Sequence, residues 1–150
     1  GVYVENGVVI GDRVTIKNGI SLWEGLKIED DVFLGPHAVF TNDMFPRSKM
    51  HLGNFLSTQI KKGASIGANS TVLCGITLGK YCLTGAGSVV TKSVPDFAVV
   101  AGNPARFKYL ISKNGEKLVF DKNGIAVDSL NNRYKLVENK DSTKNIVREK

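Results

Sequence analysis

Aliphatic residues return at every sixth position through most of the first ninety residues. They stand at Val4, Ile10, Ile16, Leu22, Ile28 and Leu34, and again at Ile60, Ile66, Val72, Leu78 and Val90, with Thr84 the one polar exception. Four positions after each comes a second aliphatic or small residue: Val8, Val14, Ile20, Leu26, Val32 and Ala38, then Ala64, Ser70, Ile76, Cys82, Ser88 and Val94. Just before these sit Gly7, Gly19, Gly25, Gly63, Gly75 and Gly87, with Asp31, His37 and Asn69 in other such slots. Those residue types tolerate a left-handed backbone better than most. A six-residue step drifts around a helical turn of roughly 3.6 residues. Each glycine would also cost a helix about 1 kcal/mol relative to Ala. A two-sided strand has no use for a turn residue every six positions. The pattern fits short strands joined at corners, three to a triangular coil of eighteen residues, with coils stacked around a column of inward aliphatic side chains.

Residues 4–39 supply two coils and residues 60–95 two more. Between them Thr41–Gln59 leaves the repeat as a polar and aromatic insert, TNDMFPRSKMHLGNFLSTQ. A long insert in a rigid array is a usual place for function, and a solvated loop without a role is the plain alternative. Pro95 ends the repeat, and Gly102 and Pro104 end the last coil. The chain then changes texture. An Asn123-Gly124 pair between apolar runs predicts a hairpin, and Arg133–Val137 a third strand. The expected division is therefore a coil domain over 1–106 with its insert at 41–59, a small β-meander appendage over 107–138, and a disordered tail over 139–150. Because the chain opens at Gly1 inside the repeat, it is expected to be an excerpt of a longer protein.

Composition narrows the function classes. The chain is 42% hydrophobic and 23% charged, which suits a soluble globular protein. No apolar run reaches the length of a membrane span and no signal-peptide pattern is present. Two cysteines, Cys74 and Cys82, make no disulfide framework, so a reducing cytoplasm is the expected compartment. The net charge of +6 is concentrated after residue 95. Its basic residues are interleaved with acids and lack an aromatic stacking motif, so no nucleic-acid partner and no membrane partner are expected.

The repeat together with GAGSVVTKSVPDFAVVAGNPAR (Gly85–Arg106) resembles the hexapeptide-repeat acyltransferases, over residues 4–111. A narrower resemblance, carried by LWEGLKIEDDVFLGPHAVFTNDMFPRSK (Leu22–Lys49), is to N-acetyltransferases of the 3-amino group of nucleotide-linked deoxysugars. The resemblance implies an all-β fold, a left-handed parallel β-helix of hexapeptide repeats with an inserted loop and a small C-terminal β-meander. It implies acetyl-CoA as co-substrate, a nucleotide-sugar acceptor, and a homotrimer with sites between subunits. No metal is implied. The hand of the coil comes from this resemblance alone, because most parallel connections are right-handed.

Acetyl transfer needs an unprotonated nucleophile, a held thioester and a stabilised oxyanion. Asn42 can donate and accept, which suits it to orienting a sugar amine or an acyl oxygen; Asp43 can hold the amine. Both are equally suited to opening a turn. His37, at a corner before the insert, is either a base or hydrogen-bond donor in the cleft, or a corner residue kept for its backbone. Arg47 can pair with a nucleotide diphosphate, and Trp23 can stack on a ring or pack between subunits. The resemblance supports Gly85 and Ala86 as the backbone against which a pantetheine arm lies. Lys92 and Arg106, with Lys108 behind them, are the candidates for the CoA phosphates. Cys82 is expected in the core and Cys74 partly exposed. A hydroxyl acceptor with His37 as base, and a trimerising β-helix without catalysis, remain the competing readings. A zinc site of three histidines is disfavoured, since only His37 and His51 are present.

Overall fold

A computed structural model describes residues 1–50, 53, 55–138 and 144–149. The repeat folds as an all-β, left-handed parallel β-helix. The first coil holds β1 (Val2–Val4), β2 (Val9–Ile10) and β3 (Thr15–Ile16), and the second β4 (Ile20–Leu22), β5 (Leu26–Ile28) and β6 (Phe33–Leu34). The third holds β7 (Val39–Phe40), β8 (Thr58–Ile60) and β9 (Ser65–Ile66), and the fourth β10 (Thr71–Val72), β11 (Thr77–Leu78) and β12 (Leu83–Thr84). A last partial coil carries β13 (Val89–Val90) and β14 (Ala98–Ala101), and β15 (Arg106–Leu110) folds back antiparallel on β14. β1, β4, β7, β10 and β13 make the first face of the prism. β2, β5, β8 and β11 make the second, and β3, β6, β9, β12, β14 and β15 the third.

The corners explain the glycines. Gly7, Gly19, Gly25, Gly63, Gly75 and Gly87 all have positive φ, and so do Arg13, Asp31, His37, Asn69 and Tyr81 in the same slot of other units. Each corner turns through one left-handed residue, which glycine adopts without a steric cost. The inward column from Leu22 to Val90 is buried, with Leu34, Ile60, Ile66 and Leu78 fully so. Each such side chain contributes roughly 1.5–3 kcal/mol relative to exposure. Val4 and Ile10 occupy the same slots in the first coil and are 47% and 39% exposed. Thr84, the polar exception, is buried and accepts a hydrogen bond from the Gly67 amide at 3.1 Å. Cys82 lies in this core, where burial, followed by the Asp96 charge, pushes its thiol up to about 12. Cys74, expected to be partly exposed, is buried as well, at 1%. Its amide donates to the Thr41 hydroxyl of the preceding coil, a contact that a single repeat unit does not reveal.

The insert interrupts this stack without breaking it. Val4 pairs with Leu22, a step of 18, whereas Ile28 pairs with Ile60, a step of 32, so the insert adds 14 residues to one coil. Thr58 and Gln59, expected in the insert, belong to β8.

The appendage is a three-stranded antiparallel sheet of β16 (Ile125–Val127), β17 (Arg133–Glu138) and β18 (Lys144–Glu149). A tail without regular structure was the expectation for 139–150; residues 144–149 instead pair with β17, and Ile146 sits opposite Leu136 and is buried. An edge strand can be held by its backbone bonds and one buried side chain, which composition does not register. The rest of the tail, residues 139–143 and 150, lies outside the described residues. The sheet joins the prism through an aromatic series. Tyr81 stacks on Phe97 at 5.4 Å between ring centroids, and Phe97 meets the edge of Tyr134 at 5.7 Å. The Tyr134 hydroxyl accepts from the Lys113 amide and donates to Asp128. Burial pushes the Asp128 carboxyl up, but hydrogen bonds from Asn132, Tyr134 and Leu130 outweigh it and hold the group below its ordinary range.

Two truncations should therefore act on different units. Leu34→Ala is expected to lower the stability of the prism by about 2–5 kcal/mol in a denaturant titration. Phe97→Ala should instead free the appendage first, seen as faster tryptic cleavage after Lys113 and Lys117 with the prism still folded. A single shared transition for both variants would show that prism and appendage unfold as one.

Candidate active site

The candidate residues fall on two corners of the first face. His37 is at the corner where the third face meets the first, before β7 begins. Its exposed ring lies over Gly19 of the coil above: a Cβ on Gly19 would come 2.2 Å from His37 Nδ1. Glycine at 19 suits both its φ of 74° and the imidazole resting on it. Further along this corner are Gly85 and Ala86. A Cβ on Gly85 would meet Ala101 at 2.9 Å, so close stacking of the last coil accounts for that glycine. Ala86 and Gly87 are exposed, and nothing stands within 4 Å of the Cβ position of Gly87. The open backbone at this corner is therefore Ala86–Gly87.

The other corner, between the first and second faces, carries Trp23, the insert and Lys92. Trp23 is half-buried, with its ring 5.5 Å from Tyr3. Between the two corners a depression of about 160 Å³ crosses the face, lined by Gly19, Ser21, Trp23, Ala38, Val39 and Phe40. The insert starts beyond Phe40. Asn42 is half-buried, and its carbonyl accepts from the Leu56 amide at 3.3 Å, which closes the base of the loop. Asp43 is half-buried too, and its Oδ1 accepts from the Phe45 amide at 2.8 Å. This is the local turn that Asp favours, and it occupies one carboxylate oxygen. Arg47 is exposed, and its guanidinium donates to the Pro46 carbonyl at 2.9 Å. His51 lies outside the described residues.

At the lower end of the same corner a pocket of about 470 Å³ opens beneath the last full coil. Thr91, Lys92, Ser93, Pro95, Arg106 and Phe107 are among its lining residues. Lys92 and Arg106, fourteen residues apart, are brought together because β15 folds back on β14. Both are exposed cations beside apolar lining, an arrangement able to hold an anionic group attached to a flat ring. Lys108 is exposed on β15 but does not line the pocket. Among the described residues there is no group of three or more His, Cys, Asp or Glu able to hold a metal ion.

Two features escaped the sequence reading. The insert exposes Met44, Phe45 and Met50, the last two at 76% and 66%. The run MFPRSKM already displayed these apolar groups. The outward residues of the first face, Tyr3, Ser21, Val39, Thr71 and Val89, are all uncharged, whereas the second face presents Lys27. One prism keeps the His37 corner and the insert corner apart, at opposite ends of β7.

Comparison with known proteins agrees with this architecture. The family described as "Bacterial transferase hexapeptide (six repeats)" matches residues 57–92, and "Hexapeptide repeat of succinyl-transferase" matches residues 1–23. The chain is 52% identical over 85 residues to dTDP-3-amino-3,6-dideoxy-alpha-D-galactopyranose 3-N-acetyltransferase of Aneurinibacillus thermoaerophilus, covering 57% of this chain and 44% of that protein. It is 33% identical over 118 residues to serine acetyltransferase of Haemophilus influenzae, covering 78% of this chain and 36% of that protein. It therefore spans less than half the length of these two relatives. Among solved structures, a hexapeptide-repeat-containing acetyltransferase of Vibrio cholerae complexed with acetyl coenzyme A superposes with a TM-score of 0.65 at 26% identity, over 74% of this chain and 65% of that one. The six-residue period, the left-handed corners and these matches together place the chain in the hexapeptide-repeat transferase family.

Proposed function

We propose that the chain is the prism of an acetyl-CoA-dependent N-acetyltransferase that acts on the amino group of a nucleotide-linked amino-deoxysugar. The observation that carries this reading is the shared corner of the Lys92–Arg106 pocket and the insert. The pocket lies two coil steps below the insert, about 10 Å at the usual strand spacing. CoA phosphates held by Lys92 and Arg106 would leave the pantetheine arm to run up the corner toward Asn42. The sugar amine, once neutral, attacks the thioester carbonyl. The tetrahedral oxyanion collapses with loss of the CoA thiolate, and the amine proton passes to the sulfur or to a nearby base. Asn42 orients amine or acyl oxygen, and Asp43 offers its remaining oxygen to the amine. The 52% identity to an amino-sugar nucleotide N-acetyltransferase supports the acceptor class. Trp23 and Arg47 are its proposed contacts, for a ring and a diphosphate. A reducing cytoplasm suits the two free cysteines.

A cyclic trimer completes the site. If the uncharged first face of each prism turns toward a three-fold axis, the His37 corner of one copy abuts the insert corner of the next. Such a head-to-tail contact unites His37, Ala86 and Gly87 with Asn42 and Lys92, and it covers Met44 and Phe45. Light scattering on the purified chain should give about three times its 16.3 kDa mass. A monomer at micromolar concentration would leave the two corners unconnected and refute the shared site.

The similarity to serine acetyltransferase favours a second reading, transfer to a hydroxyl with His37 as general base. A thiol-release assay over amino-sugar nucleotides and hydroxyl acceptors, across pH, separates the two. For an amine acceptor, Asn42→Ala should lower kcat by roughly 10²-fold and His37→Ala by less. For a hydroxyl acceptor, His37→Ala should cost on the order of 10²–10⁴-fold. A dead His37→Ala enzyme beside a normal Asn42→Ala enzyme overturns the amine reading.

The phosphate assignment has its own signature. Lys92→Ala and Arg106→Ala should each raise KM for acetyl-CoA about tenfold with kcat nearly unchanged, because a contact far from the thioester binds ground and transition states alike. Unaltered KM in both variants would place the phosphates elsewhere.

A further inference from the structure

The insert is attached to the prism by two threonine side chains that accept hydrogen bonds from neighbouring amides of one corner. Thr41 is the first residue of the insert, directly after β7, and its Oγ1 accepts from the Cys74 amide at 3.0 Å. Thr58 is the first residue after it, and its Oγ1 accepts from the Gly75 amide at 3.1 Å. Their own amides are held as well, Thr41 N by the Val72 carbonyl and Thr58 N by the Gly25 carbonyl. Thr58 is 3% exposed although it occupies a slot that is Leu26 in the coil above and Ile76 in the coil below. In the uninterrupted coil above, one side chain does the corresponding work: Glu5 accepts from the Glu24 amide at 2.8 Å. Where the insert removes the ordinary corner, two hydroxyl groups take over from opposite sides of the gap. Leu56 lies against the two flanking corner glycines, with its Cδ1 3.3 Å from the Cβ position of Gly75 and its carbonyl 3.2 Å from that of Gly25.

We propose that Thr41 and Thr58 are positioning residues that clamp both feet of the insert to the Cys74–Gly75 corner and thereby fix Asn42 for catalysis. The proposal rests on the acyl-transfer reading for its catalytic consequence. Its structural half stands on the hydrogen bonds alone. Thr41 is bonded directly to Asn42, and the Asn42 carbonyl accepts from Leu56, two residues before Thr58. Loss of either hydroxyl leaves a covered amide without its acceptor, which favours opening of the loop base. The CoA pocket is built from later residues and keeps its geometry.

The test uses the full chain with Thr41→Val and Thr58→Val, which remove the acceptor and keep the β-branched shape, and Thr41→Ser and Thr58→Ser, which keep the hydroxyl. Each Val variant is expected to lower kcat about tenfold while KM for acetyl-CoA stays within about twofold. Each Ser variant should recover most of the rate. Tryptic cleavage after Arg47 and Lys49, inside the insert, should speed up about tenfold in the Val variants and remain near wild type in the Ser variants. A purely structural role would lower Tm in the Val variants without changing kcat at temperatures well below it. Wild-type kcat in the Val variants, beside a crippled Asn42→Ala enzyme, overturns the positioning role and leaves acyl transfer intact. Equal loss in Val and Ser variants overturns it too. If Asn42→Ala itself retains full rate, the catalytic placement of Asn42 fails, and the tryptic rates decide the clamp by themselves: unchanged cleavage in the Val variants refutes it.

Discussion

Everything in this molecule depends on a chain that can turn through a left-handed residue at each corner and still stack on itself. The coil strands β1 to β14 are two to four residues long, too short to hold together alone. They persist because they pair in parallel with strands of the neighbouring coils, those in the middle of the stack on both sides. That pairing keeps its 18-residue step where successive corners turn alike. Glycine does so freely, whereas Arg13, Asp31, His37, Asn69 and Tyr81 each carry a steric cost of order 1 kcal/mol. Contacts between coils offset it. Arg13 grips Asp31 through two hydrogen bonds, at 2.6 and 3.1 Å. His37 lies over Gly19 and Tyr81 over Gly63, so a glycine in one coil makes room for a large corner residue in the next.

Such regularity makes a stiff scaffold, and most of the candidate residues lie where it is interrupted. One interruption is the insert, which replaces a corner with a loop rich in polar and exposed apolar groups. Another is the end of the stack. There β15 reverses direction, stops further parallel pairing and sets Arg106 beside Lys92. A third is the appendage, seated on the column of Tyr81 and Phe97. The insert and the end pocket share a corner because the strands of the first face stay in register through the long third coil, where Phe40 still pairs with Val72.

The repeat, its corners and its interruption were legible in the primary structure, because a period of six is a local property and each unit carries its own turn residue. The pairing of Lys92 with Arg106 was legible only as two cations in a family-like segment. Other readings gave way where the outcome depended on a neighbouring coil. Cys74 looked like an open corner, yet it is buried and its amide donates to Thr41 of the coil above. Thr58 looked like loop, yet its side chain sits where the coils above and below place Leu26 and Ile76. The tail looked disordered by composition, yet Ile146 gives β18 one buried anchor. His37 and Asn42 are five residues apart and looked like members of one cluster. A strand lies between them and sends them to opposite corners.

By itself the sequence determined the coil: aliphatic residues every sixth position can only be buried together if the chain winds, and left-handed corners are written into the glycines that precede them. It also determined where the six-residue period is interrupted, at Thr41 and again after Val94. Only the tertiary structure decided which corner each functional residue occupies and what its side chain touches. The reason is that contacts between coils join residues 18 or 32 positions apart, and the insert sets which step applies. The clamp of Thr41 and Thr58 on Cys74 and Gly75 belongs to that second category, since its four residues become neighbours only once the third and fourth coils have stacked.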